Sequence, residues 1–270
     1  MDVIYSLAGF IVGFIIGLTG VGGGSLMTPI LVLIFSIKPA VAVGTDLLYA
    51  AITKSGGIFV HRHQKTIDWK IVGLLSCGSI PSSVAALFLL QNFESTGIDY
   101  DRLISLVLSI ALILTSSVLL FKNKLQVASK NERFDSIRAL HRRYRPPITI
   151  LFGALIGALV TISSVGAGAF GAAVLFFLYP RLRAVTIVGT DLAHAVPITA
   201  IAGIGHAHIG TVDYDLLLSL IIGSLPGIYL GSRIGAIVPD KFIRPVLAIM
   251  LMVIGVIMAI KSGIHLTNQQ

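Results

Sequence analysis

Val43-Gly44-Thr45-Asp46-Leu47 recurs as Val188-Gly189-Thr190-Asp191-Leu192, 145 residues further along the chain. At the same offset His61-Arg62-His63 meets His206-Ala207-His208, and Thr66-Ile67-Asp68-Trp69 meets Thr211-Val212-Asp213-Tyr214. Gly78-Ser79-Ile80-Pro81 likewise meets Gly223-Ser224-Leu225-Pro226. With one residue of slippage, Val21-Gly22-Gly23-Gly24 corresponds to Val165-Gly166-Ala167-Gly168. Chance similarity of apolar runs does not align Asp, His and Pro at one spacing, so the chain is an internal duplication.

The residues around these motifs set the solvent. Of 270 residues, 55% are hydrophobic and 12% charged, and the mean hydropathy is +0.94. Soluble domains carry about 25% charged residues, so this chain has half the charge that a water-exposed surface needs. The apolar residues fall in long blocks, among them Ile71–Leu90, Leu103–Phe121 and Val246–Ile260. They lack the two-residue alternation of a transmembrane barrel. Helices that satisfy their own backbone in lipid are what remains. The expected fold is an all-α polytopic membrane protein of two homologous, inverted repeats, with broken short helices at the Gly-rich motifs and about 8–10 membrane segments. The boundaries are a first repeat over 1–121, a basic linker over 122–147 and a second repeat over 148–270. Met1-Asp2-Val3 has no basic n-region, so the N-terminus reads as the start of the first membrane segment and not as a removable signal.

Charge gives orientation rather than a nucleic-acid partner. Of the net +8, six units sit between Lys122 and Arg145, where eight Lys and Arg face Glu132 and Asp135. A cytoplasmic linker obeying the positive-inside bias explains that cluster, with contact to anionic headgroups as an addition. Counting back three spans puts Arg62, Lys65 and Lys70 inside, whereas the equivalent loop His206–Asp215 has no Lys or Arg and falls outside. Equivalent loops on opposite sides mean inverted repeats, with an odd number of crossings in each half. Cys77 is the single cysteine, so no intrachain disulfide is available.

Within the apolar blocks a few groups could carry chemistry. Gly22, Gly23, Gly24 and Ser25, followed by Pro29, cannot continue a comfortable helix, since each interior glycine costs ~1 kcal/mol against Ala. A second helix starting there would turn free N–H groups and its dipole toward an anion. The half-two equivalent adds the hydroxyls of Ser163 and Ser164 to Gly166 and Gly168. Small-residue helix packing is the competing account of the glycines. Asp46 and Asp191 each cost ~3 kcal/mol near a helix centre; capping a helix at Thr45 or Thr190 is their other use. Tyr49, Thr53 and Lys54 share a helical face with Asp46, as His194 does with Asp191. Lys54 has Thr199 as its half-two counterpart, and one buried cation beside two glycine breaks suits an anion pathway. Pro81, Pro197 and Pro226 are expected to kink helices and free carbonyls. No cofactor is implied. The His-x-His pairs lack a third ligand within their own half, so interfacial or loop contacts explain them better than a metal site.

Gly17-Leu18-Thr19-Gly20-Val21-Gly22-Gly23-Gly24-Ser25 with Pro29 resembles the signature of the sulfite exporter TauE/SafE family of membrane transporters. The two-halves-plus-linker layout and the repeated Val-Gly-Thr-Asp-Leu are similar to that family over nearly the whole chain. Where many members have Gly-Thr-Ser, this chain has Gly-Thr-Asp in both halves. The resemblance implies carriage of sulfur-containing anions such as sulfite or sulfonates across a bacterial-type inner membrane. The expectation is a secondary transporter whose partners are a small anionic substrate and the lipid bilayer. Glycines 22–24, Ser25, Thr45, Lys54, Ser163, Ser164, Gly166, Gly168 and Thr190 would bind the substrate. Asp46, Asp191, Tyr49 and His194 would carry coupling protons or support the helix breaks. A passive anion channel is the alternative. Further readings are a divalent-metal transporter using His61, His63, His206 and His208, and an intramembrane enzyme using Ser25 or Ser163/Ser164 with His194.

Overall fold

The structure, a computed structural model, describes residues 3–19, 26–96, 100–129, 135–235 and 240–267. Among these, all regular structure is helical. The first half holds α1 (Val3–Thr19), α2 (Met27–Leu33), α3 (Pro39–His63), α4 (Trp69–Ser95) and α5 (Asp101–Ser129). The second holds α6 (Asp135–Ser163), α7 (Ala169–Leu178), α8 (Ala184–Ile209), α9 (Tyr214–Gly235) and α10 (Asp240–Thr267). Much of the basic segment 122–147 rides on the ends of α5 and α6. Among the described residues, five helices are long and apolar enough to cross a membrane: within α4, α5, α6, α8 and α9. α3 is not among them, because Asp46, Lys54 and its glycines and hydroxyls dilute its apolar content. At ~1.5 Å per residue, the seven residues of α2 and the ten of α7 cover less than half and about half of the hydrocarbon thickness.

The molecule is turned inside out relative to a soluble domain. Large apolar side chains lie on its outer surface, including Phe88, Leu151, Val246 and Ile249, each more than half exposed. Thr28, Asp46, Lys54, Ser79, Thr161, Asp191, His194 and Thr199 are buried. That arrangement suits a lipid surround, where outward apolar groups cost nothing and inward polar groups need partners. Trp69 and Tyr214, at the first positions of α4 and α9, are exposed by 57% and 63%. Aromatic rings with a polar edge favour the headgroup level.

Helix pairing follows the 145-residue correspondence. α1 packs on α9 and α6 on α4, while α3 packs on α8 and α5 on α10. Since α1 corresponds to α6 and α4 to α9, the first two pairs are images of each other. The last two each join an element to its own counterpart. Glycines make the first two pairs unusually close. Gly9, Gly13 and Gly17 of α1 lie against the backbone of Leu220, Ser224 and Ile228. From the other side, Gly223, Gly227 and Gly231 of α9 lie against Ser6, Phe10 and Phe14. Gly153 and Gly157 of α6 meet Leu75 and Ser79 of α4, and Gly78 meets Ile150. A Cβ at any of these positions would enter the facing main chain. Small residues four apart let helix backbones approach in lipid, where van der Waals contact replaces hydrophobic exclusion as the driving force.

α3 and α8 run antiparallel. The start of α3 (Gly44, Thr45) meets the end of α8 and its following turn (His206, Thr211, Asp213), and the start of α8 (Gly189, Thr190) meets His61, Thr66 and Asp68. Repeat-equivalent aspartates then start the next helices. Asp68 accepts the N–H groups of Lys70 and Ile71 at 3.1 and 3.3 Å, and Asp213 that of Leu216 at 2.9 Å. These are N-cap bonds to otherwise unpaired donors.

The glycine faces yield a stability test. Gly223→Leu forces α9 off α1 and is expected to lower the unfolding midpoint in detergent by about 5 °C or more. Gly73→Leu, at a position with open space around it, is expected to shift it by no more than about 1 °C. Differential scanning fluorimetry of the two purified variants reads the difference; equal midpoints would remove the packing role.

Candidate functional site

The interior polar groups converge where α3 crosses α8. Lys54 is 5% exposed and donates from Nζ to the carbonyl oxygen of Ala167 at 2.9 Å. Asp46, two turns earlier on α3, and Asp191 on α8 both lie within electrostatic range of that ammonium. Thr28 of α2 donates its hydroxyl to Asp46 Oδ2, and the Ser164 side chain lies beside the same carboxylate. His194, one turn after Asp191, pairs through Nε2 with Ser79 Oγ of α4 at 2.8 Å. Its repeat counterpart, Tyr49, places its ring beside Ser224, the counterpart of Ser79. All these side chains except Lys54 and Asp191 are 0–1% exposed. A buried ammonium between two carboxylates is expensive in lipid unless each group has a partner, so the grouping needs a reason beyond packing.

The backbone between α6 and α7 shapes one wall. Helix geometry stops at Ser163 and resumes at Ala169. In between, Ser164 takes a left-handed conformation (φ 58°), and Gly166 and Gly168 have φ of 123° and 143°. A serine there costs ~1–3 kcal/mol and persists only when its surroundings impose it. Ser163 Oγ meets the Val165 N–H at 3.3 Å, inside the bend. The first bonds back from α7 are Gly171 N–H to Gly166 O at 3.0 Å and Ala172 N–H to Gly168 O at 2.9 Å. The N–H groups ahead of them head the helix, and Lys54 is held at the same bend by the Ala167 carbonyl.

The structure places the sequence-predicted residues unequally. It brings Asp46, Lys54, Asp191, His194, Ser164 and Tyr49 into one region and puts Ser163, Gly166 and Gly168 in the adjoining bend. Thr45 and Thr190 serve at the two ends of the α3/α8 pair instead. Thr45 Oγ1 accepts Asp213 N–H at 3.1 Å and Thr190 Oγ1 accepts Asp68 N–H at 3.0 Å. Gly22, Gly23, Gly24 and Ser25 lie outside the described residues. The histidines of the two His-x-His pairs are separated along the α3/α8 axis. His61 Nδ1 and His206 Nδ1 each pair with a threonine hydroxyl, Thr66 and Thr211, at 2.8 Å. His63 and His208 are exposed. Sequence reasoning missed Thr28, Ser79, Ser83, Thr161 and the Ala167 carbonyl. For Ser79 the signal was there, as the duplicated Gly-Ser-x-Pro; the others had none.

Comparison with known proteins agrees with this architecture. The chain matches the model of the family described as sulfite exporter TauE/SafE over residues 5–258. It is 36% identical to the "Probable membrane transporter protein YjnA" of Bacillus subtilis, over 94% of this chain and 98% of that one. A "Probable membrane transporter protein" of Methanocaldococcus jannaschii is 30% identical over 93% of each chain. A further Bacillus subtilis relative of the same description, YdhB, is 26% identical over 87% of this chain and 91% of its own. No solved structure matches the chain significantly. With an apolar helical exterior, a buried polar centre and a family match from Tyr5 to Met258, this chain belongs to the sulfite exporter TauE/SafE family of membrane transporters.

Proposed function

We propose that the chain is a proton-coupled secondary carrier of small sulfur-containing anions, built from two inverted repeats around one central site. The observation that carries the reading is Lys54, buried between Asp46 and Asp191 and bonded to the Ala167 carbonyl at the α6–α7 bend. An oxyanion arriving there would exchange that carbonyl for itself as the ammonium's partner and take further donors from Ser164 and the head of α7. Charge then supplies the coupling. With both carboxylates ionised, one lysine leaves the centre net negative and hostile to an anion. Protonating them removes the repulsion, so proton and anion binding reinforce each other.

The inversion is supported by the antiparallel α3/α8 pair, whose equivalent ends carry equivalent turns. In an inverted repeat the substrate site sits at the pseudo-two-fold axis near mid-membrane, and Lys54 and Thr199 are the equivalent positions flanking that axis. With the basic segment 122–147 in the cytoplasm of a bacterial-type cell, the turn after α3 faces inward and the turn after α8 faces outward.

Four measurements test this. Purified protein is expected to gain several degrees of thermal stability with sulfite or a small sulfonate at a hundredfold excess over Kd, where linkage gives ~2.7 kcal/mol. Lys54→Ala should abolish that gain, and an unchanged gain would move the site elsewhere. In proteoliposomes, Asp46→Asn and Asp191→Asn should each cut pH-gradient-driven sulfite uptake by about tenfold or more while folded protein still exchanges sulfite at equal pH. Full gradient-driven uptake in both variants would sink the coupling. Large unitary currents in a planar bilayer would instead identify a channel. Finally, in a Cys77→Ser background, Gln64→Cys should be labelled by an impermeant maleimide from the cytoplasmic side and His208→Cys from the outer side. Labelling from one common side would refute inversion.

A further inference from the structure

The two halves match closely in position, so the places where their chemistry differs carry information. Around the centre, Ser79 with His194 in one half corresponds to Ser224 with Tyr49 in the other. Moving away from the centre, the first pair continues as a file of buried polar groups. Ser83, one turn beyond Ser79 on α4, bonds through its hydroxyl to Thr161 Oγ1 at 2.7 Å. The peptide oxygen of Thr161 accepts from His206 Nε2 at 2.9 Å, and His206 Nδ1 pairs with Thr211 Oγ1 at 2.8 Å. Ser79, Ser83, Thr161 and His206 are 0–1% exposed, and Thr211 is 7% exposed where the turn reaches the surface. In the other half Ile228 stands for Ser83 and Gly17 for Thr161, and there Gly17 is pressed directly on the α9 backbone. His61 keeps its threonine, but no hydroxyl stands at the positions of Ser83 and Thr161 to lead inward from it.

We infer that the Thr211–His206–Thr161–Ser83–Ser79–His194 file is a proton-access path joining the central site to one membrane face only, the face of the turn after α8. This deepens the proton-coupled reading above and rests on it. Hydrogen bonds join Thr211 to His206, His206 to the Thr161 carbonyl, Ser83 to the Thr161 hydroxyl (which also donates to the Gly157 carbonyl at 2.8 Å) and Ser79 to His194; bridging water would complete the two steps between them, from His206 to the Thr161 hydroxyl and from Ser83 to Ser79. Neutral His206 donates Nε2–H to the Thr161 carbonyl and accepts at Nδ1 from Thr211. Protonated, it donates from both nitrogens, and the Thr211 hydroxyl turns to the His206 carbonyl, 3.1 Å away. The site therefore holds both protonation states with every hydrogen bond made, by rotating one hydroxyl. A proton taken at Nδ1 lets the Nε2 proton leave inward, by way of a water that would bridge it to the Thr161 and Ser83 hydroxyls. One turn of α4, ~6 Å between Ser83 and Ser79, is the span of one bridging water. Ser79 passes the proton to His194 Nε2, and His194 Nδ1, buried and without a hydrogen-bond partner, releases one toward the central groups. The charged groups there are Asp191 on the same helix and Lys54 and Asp46 on α3; at the mouth, His208, Asp213 and Asp215 are exposed.

The test uses the full chain in pyranine-loaded proteoliposomes with sulfite as the probe. Ser83→Ala and Thr161→Val should slow proton movement and gradient-driven sulfite uptake about tenfold, leaving sulfite counterflow at equal pH within about twofold, and Ser83→Thr and Thr161→Ser should restore both. Variants that move protons at the wild-type rate, or that lose counterflow in proportion, overturn the path. If wild-type protein moves no sulfite, the transport reading fails and the path is judged by its own signal. In [15N]histidine-labelled protein in nanodiscs without substrate, the His194 ring N–H should then exchange with water about tenfold faster in wild type than in the Ser83→Ala or Thr161→Val protein. Equal exchange rates overturn it.

Discussion

An ammonium group buried in a helical assembly with an apolar exterior has to be matched locally, because no water is at hand to do it. Lys54 is matched in charge by Asp46 and Asp191 and in hydrogen bonding by the Ala167 carbonyl. Each partner brings its own requirement. Asp46 takes the Thr28 hydroxyl and has Ser164 beside it, which brings α2 and the α6–α7 bend against α3. The Ala167 carbonyl is available only because the chain leaves helical geometry between Ser163 and Ala169, at the cost of a left-handed serine. The polar centre and the irregular backbone are thus one arrangement, and neither is stable in lipid without the other.

Duplication provides the frame and its breaches provide the chemistry. The turns at the two ends of the α3/α8 pair are matched atom for atom: a glycine that makes room, a threonine hydroxyl that accepts an aspartate N–H, and a histidine bonded to a threonine. At the centre the match ends. Lysine faces threonine, tyrosine answers histidine, and the hydroxyls of one half become glycine and isoleucine in the other.

The helical class and the helix-rich halves could be read from the apolar blocks, since lipid leaves few alternatives. The duplicated motifs were visible too, but not the contacts they make. Thr45 and Thr190 neighbour Asp46 and Asp191 in sequence, but a helix turns through 100° per residue, and their hydroxyls accept from the opposite repeat's turn. The packing role of Gly9, Gly13, Gly17, Gly223, Gly227 and Gly231 could not be read, because spacing by four says nothing until the facing helix is known. Thr28, Ser83 and Thr161 were illegible for the same reason: a hydroxyl in an apolar run usually bonds its own helix, as Thr161 does to Gly157, and only tertiary packing shows a partner on another helix. Lys54 stood out because a cation in such a run has no cheap explanation.

The interleaving of the halves bears on how the chain is made. α6 meets α4, which the ribosome has already delivered, and the two can associate while the rest of the second half is synthesised. α1 emerges first, yet the helix against which its glycines close, α9, follows about two hundred residues later. Until then the glycine face of α1 is open to lipid or to another occupant. Neither half is therefore a unit of assembly. The first becomes complete only when the second is nearly finished, so the molecule closes late and all at once.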